Sequence, residues 1–117
     1  MRLDEITKDE FKNKLKYPMP LVEELRGMVK TALKGINRGT DLGVTPGMSA
    51  EYEEEFGDDF VAWTIKINLG RTLGPDKAER WVNVFRSAFS VYKADGVTVH
   101  ELNKTDDYVL IGIQLDI

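Results

Sequence analysis

Apolar residues along this chain follow two rhythms, one near 3.6 residues and one of 2. Leu21, Val22, Leu25, Met28, Val29, Ala32, Leu33 and Ile36 keep the i, i+3, i+4, i+7 spacing of a helix with one buried stripe. This predicts a helix from about 20 to 36. Pro20 suits its first turn, where a missing amide hydrogen is not needed. Glu23 and Glu24 lie toward the positive end of the dipole, and Lys30 and Lys34 toward the negative end. A second stripe, Ala78, Trp81, Val82, Phe85, Ala88, Phe89 and Tyr92, predicts a helix opened by Pro75 and running to about Ala94. Asp95-Gly96 ends it, with Gly96 suited to a left-handed cap. Ahead of both, Thr7-Lys8-Asp9-Glu10 is a capping box, with Phe11 and Leu15 on one side. It predicts a short helix over about 8–16, stopped by Pro18.

The other rhythm predicts strands. Val61, Trp63, Ile65, Ile67 and Leu69 alternate with Ala62, Thr64, Lys66 and Asn68, giving a strand over 60–69 with one buried face. Over 107–117, Val109, Ile111, Ile113, Leu115 and Ile117 share a face. Shorter strands are predicted over 51–56 and 97–103. The first of these is rich in glutamate, a poor strand former. Gly57-Asp58-Asp59 and Lys104-Thr105-Asp106 are the turns that close two local hairpins. Residues 37–49 hold three glycines and a proline and predict a long loop, and 70–74 a shorter one.

The element order is α-α-β-β-α-β-β. Local hairpins favour an antiparallel four-stranded sheet. Apolar stripes on the helices and one apolar sheet face then predict a two-layer α+β domain with helices packed on one face. No linker and no low-complexity tract divides the chain, so residues 1–117 read as one domain. No internal repeat is read from the sequence.

Composition narrows the function classes. Hydrophobic residues make up 42% and charged residues 31%, which excludes a disordered tail or a fibre. Twenty Asp and Glu against 16 Lys and Arg leave a net charge of −4, so a uniformly basic nucleic-acid footprint is missing and nucleic acid is disfavoured as a partner. The chain has no cysteine, which removes thiol catalysis, disulfides and thiolate metal sites. No secretory signal opens it and no run reaches the length of a membrane span. A cytoplasmic location is the default expectation.

Four groups of residues are candidates for chemistry. Glu51, Glu53, Glu54, Glu55, Asp58 and Asp59 place six carboxylates in nine residues. Strand alternation points Glu51, Glu53 and Glu55 to one face. Such a surface suits a basic protein partner. It also has the oxygen-rich character that hard cations favour, but no EF-hand spacing. The competing structural reading is a solvated edge strand whose like charges block aggregation. Arg38, Gly39 and Thr40 in the first loop, with Arg71 and Thr72 in the second, have the residue types to hold an anion. Their spacing matches no phosphate-loop motif, and Asp76 competes for the same helix end. His100 is the one histidine, without a serine motif or metal-ligand spacing around it.

These observations favour a small, non-catalytic, acidic protein-binding module, an inhibitor or modulator acting by docking and occlusion. Its partner would be a protein with a basic surface, and no cofactor or metal is called for. A homo-oligomer is allowed, since an open sheet leaves edges to cover. The competing expectation is an anionic-ligand or nucleotide sensor built on Arg38 and Arg71, sited between subunits.

Overall fold

The computed structural model describes residues 17–39, 47–70 and 76–117. The helix expected over 8–16 lies outside them. Pro18 precedes helix α1 (Met19–Arg38), whose Val22, Leu25, Val29, Leu33 and Ile36 are buried. The helix runs two residues further than expected, to a left-handed Gly39 (φ 68°). Asn37 and Arg38 therefore belong to the helix and not to the expected loop. Strands β1 (Ser49–Phe56) and β2 (Phe60–Asn68) follow. Helix α2 (Asp76–Phe89) comes next.

Residues Ser90–Asp95 tighten into a 3-10 turn, where the periodicity predicts continued α-helix. The Ser90 hydroxyl donates to the Ser87 carbonyl at 2.8 Å, competing with the regular helical ladder. The apolar stripe ends there too. Phe89 is buried, Ala88 is exposed, and Tyr92 is only half-buried. Gly96, at φ 91°, then turns the chain into β3 (Val97–Lys104), and β4 (Tyr108–Asp116) completes the sheet.

All four strands pair antiparallel in the order β1-β2-β4-β3. Opposed residues share a face, so the register sorts every side chain. Val61, Trp63, Ile65 and Ile67 lie opposite Leu115, Ile113, Ile111 and Val109, and all eight are buried. The buried stripes of α1 and α2 close on them in one core that holds both tryptophans. At ~1.5–3 kcal/mol for each large side chain, that core dominates the stability. Tyr17 anchors the start of the described chain: its hydroxyl donates to the Gly57 carbonyl and its ring edge meets Phe56 at 5.2 Å between centroids. At Gly57 a Cβ would stand 2.2 Å from the Phe60 ring, so a side chain there would require that ring to move.

The strand order reveals what the sequence reading missed. Thr64 faces Gly112 at the middle of β2 and β4. A two-fold axis normal to the sheet at that point carries β2 onto β4 with a constant spacing of 48, Phe60 to Tyr108 and Asn68 to Asp116. Asp58/Asp106, Asp59/Asp107, Val61/Val109 and Ile65/Ile113 are identical under it. Both turns close alike: the Gly57 amide donates to the Phe60 carbonyl, and the Thr105 amide to the Tyr108 carbonyl. A left-handed glycine ends the helical segment of each half. The described chain is thus arranged as two αββ halves about this point.

A side-chain contact ties the C-terminal end of α1 to the β1 edge. The Asn37 side chain donates to the Ala50 carbonyl at 2.9 Å and accepts from the Ala50 amide at 2.7 Å. It imitates a neighbouring strand and occupies outward backbone groups that would otherwise be bare. Asn37→Ala should cost about 1 kcal/mol in urea unfolding and speed amide exchange at Ala50. Unchanged exchange at Ala50 would contradict this.

Candidate functional site

The second face of the sheet carries no layer among the described residues. Pairing places Glu51 opposite Lys66, Glu53 opposite Thr64 and Glu55 opposite Ala62, and the rows continue on β4 with Leu110, Gly112 and Gln114. Three glutamates therefore line one border of this open face. Each lies two residue steps along the strand from the next, roughly 7 Å. All three are exposed and make no side-chain hydrogen bond or ion pair among the described residues. Lys66 leans the other way, its Nζ 4.9 Å from the centre of the Tyr108 ring.

The far side of the open face is internally satisfied. The Asn103 amide donates to the Tyr108 hydroxyl at 3.0 Å, Gln114 donates to Asp116 at 2.8 Å, and Thr98 lies 2.8 Å from the His100 ring. Leu102 covers Gly112, where a Cβ would meet it at 3.1 Å. The face is thus polar and paired on the β3 side. Along β1 it is anionic and unpaired, with half-buried Phe60, Ala62 and Leu110 between.

Glu54 departs from the acidic group. It is turned to the helix-covered face, opposite Trp63. The Arg26 guanidinium grips it twice, Nε to Oε2 at 2.6 Å and Nη2 to Oε1 at 2.8 Å, and the Trp63 indole donates to Oε2 at 2.7 Å. Burial pushes its carboxyl up, but the bonds from Arg26 and Trp63 outweigh this and hold it below the ordinary carboxylate range. Glu54 is a fastener between helix and sheet, which corrects its expected place on the exposed surface. Period-2 counting from Trp63 across the hairpin contained that signal; the run of glutamates around it concealed it. Arg26, its partner, carried no signal in the sequence beyond a helical position next to the stripe.

Asp58 and Asp59 are exposed in the β1–β2 turn, at the end of the glutamate row. His100 is exposed on the open side of β3. No group of three or more His, Cys, Asp or Glu able to hold a metal occurs among the described residues. Of the expected anion-binding set, Arg38 and Gly39 lie among the described residues. Arg38 and Gly39 close a helix C-terminus, the negative end of its dipole, and the Gly39 amide is already bonded to the Ile36 carbonyl. Thr40, Arg71 and Thr72 lie outside the described residues. No described helix is long and apolar enough to cross a membrane. Comparison of the chain with protein-family models, with curated proteins and with solved structures finds no significant match in any of the three.

Proposed function

We propose that this chain is a non-catalytic protein-binding module whose open sheet face receives a basic surface of another protein. The observation that carries this reading is the row Glu51, Glu53 and Glu55. Three carboxylates stand in register on one border of a face that no described element covers, with no cation of the described chain paired to them. Unneutralised like charges at this spacing destabilise the chain that carries them, and a cationic partner relieves that cost. Neighbouring carbon surface from Phe60, Ala62 and Leu110 supplies the apolar part of such an interface. The mechanism is occlusion of the partner's basic surface, with long-range attraction guiding the approach.

Capture from a lysate with immobilised protein, followed by titration of the purified partner, tests the reading. Glu51→Lys, Glu53→Lys and Glu55→Lys together should abolish an association that wild type shows, while stability stays within about 0.5 kcal/mol. Wild-type affinity should fall steeply as salt is raised. A partner held equally by the triple variant would overturn the assignment of this face.

A further inference from the structure

The two halves treat their outer strand edges differently. Under the two-fold, with the one-residue bulge of β3 between Glu101 and Asn103, Ala50, Tyr52 and Glu54 correspond to Val97, Val99 and Glu101. In the first half Asn37 occupies the edge groups of Ala50 and Arg26 clamps Glu54. In the second half Ser90 turns its hydroxyl back to Ser87, and Glu101 pairs with Lys104 on its own strand. Among the described residues the β3 edge carries neither closure.

That edge has the equipment for a fifth strand. The Asp116 amide bonds to the Gly96 carbonyl, which fixes the alternation: even-numbered residues before the bulge face β4, and the amides and carbonyls of Val97, Val99 and Glu101 face outward. A groove runs between this edge and the end of α2. Buried Phe89 and Val97 and half-buried Val99 form its floor, Arg86 and Lys93 its cationic rim, and no carboxylate among the described residues lines it. Its charge is opposite to that of the β1 border.

We infer that β3 is a docking edge for an extended acidic peptide, which adds antiparallel or parallel to Val97–Glu101 as a fifth strand. Backbone pairing with Val97, Val99 and Glu101 supplies affinity without sequence preference. Side chains of the peptide that point toward α2 supply selectivity. Their methylene stems cover Phe89 and Val99, and their carboxylates reach Arg86 and Lys93. This surface and its charge are independent of the open-face reading, so either can fail alone.

The test uses two blocked heptapeptides, one alternating valine with glutamate and one alternating valine with lysine. Each is titrated into the full chain and followed by backbone amide NMR and amide exchange. The glutamate peptide should bind, shift the signals of Val97–Glu101 and slow exchange at Val99 and Glu101. The lysine peptide should not. Arg86→Glu with Lys93→Glu should weaken binding roughly tenfold or more, about 1.4 kcal/mol or more at ordinary temperature. Val99→Pro removes one outward donor without touching the β3–β4 ladder and should weaken it similarly. The charge variant lies on the surface and keeps the test decisive if the proline variant does not fold. Equal binding of the two peptides, equal binding to the charge variant, protection at β1 instead of β3, or no binding at millimolar peptide would each overturn the inference.

Discussion

Trp63→Ala is expected to remove about 3–5 kcal/mol of stability, the range for emptying a large buried aromatic site. Domains of this size are stabilised by only ~5–15 kcal/mol, so the variant should be near unfolding at physiological temperature. Three observations place the effect here. Trp63 is 0% exposed at the middle of the sheet. It lies opposite Ile113 on one side and Glu54 on the other. Its indole nitrogen donates to the Glu54 carboxylate at 2.7 Å. Truncation therefore opens a cavity and also strips a bond from a half-buried charge. Trp63→Phe separates the two terms. It keeps most of the ring packing and loses the donor, and should cost about 1–2 kcal/mol. Urea unfolding followed by far-ultraviolet circular dichroism measures both variants. A loss below ~1 kcal/mol for Trp63→Ala would mean that the helices do not close over the sheet centre.

How much of this was legible depended on whether one physical force set the pattern. Burial alone sets the alternation at Val61, Trp63, Ile65 and Ile67 and the helical stripe from Val22 to Ile36, so periodicity finds both the elements and the face they bury. Glu54 fails that reading because its burial is decided by a specific pair. A carboxylate is expected in water, and only Arg26 and Trp63 make its inward position favourable. The helix end at Ser90 fails for a local reason, a hydroxyl that takes a backbone acceptor, which hydrophobic spacing does not record. The two-fold was hidden by small displacements. One bulge residue separates the registers of β1 and β3, while β2 and β4 align at 48. Of the acidic surface, Glu51, Glu53 and Glu55 were placed on a common face from alternation alone, and the sheet register bears that out. The paired glycine-loop arginines had only residue type behind them. Arg38 sits at a helix terminus of the wrong polarity to help an anion.

Arg26→Ala should cost about 2–3 kcal/mol at neutral pH, and that cost should shrink as the solution is acidified. The pair is sheltered: the Arg26 and Glu54 side chains are 26% and 19% exposed, so salt screens it less than a surface pair. Burial alone would raise the Glu54 pKa, yet the bonds from Arg26 and Trp63 leave it below the ordinary value. The bond to Glu54 in turn holds the Arg26 guanidinium further above its usual range. The sign follows by linkage. With the folded pKa below the unfolded one, the unfolded chain takes the proton first as pH falls. The stabilisation is complete above the unfolded value, about 4.3, and drains away as pH drops through the folded value. In Arg26→Ala the carboxylate keeps its burial and only the indole donor, so its folded pKa rises and this loss on acidification diminishes. Wild type and variant should therefore converge between about pH 5 and pH 3, measured as the difference in urea unfolding free energy. Taking the difference cancels the other carboxylates common to both chains. Glu54→Gln supplies the control, with its contribution to the pH dependence removed at the source. A gap between wild type and Arg26→Ala that stays constant down to pH 3 would show that the guanidinium packs against α1 and β1 without acting on the Glu54 charge.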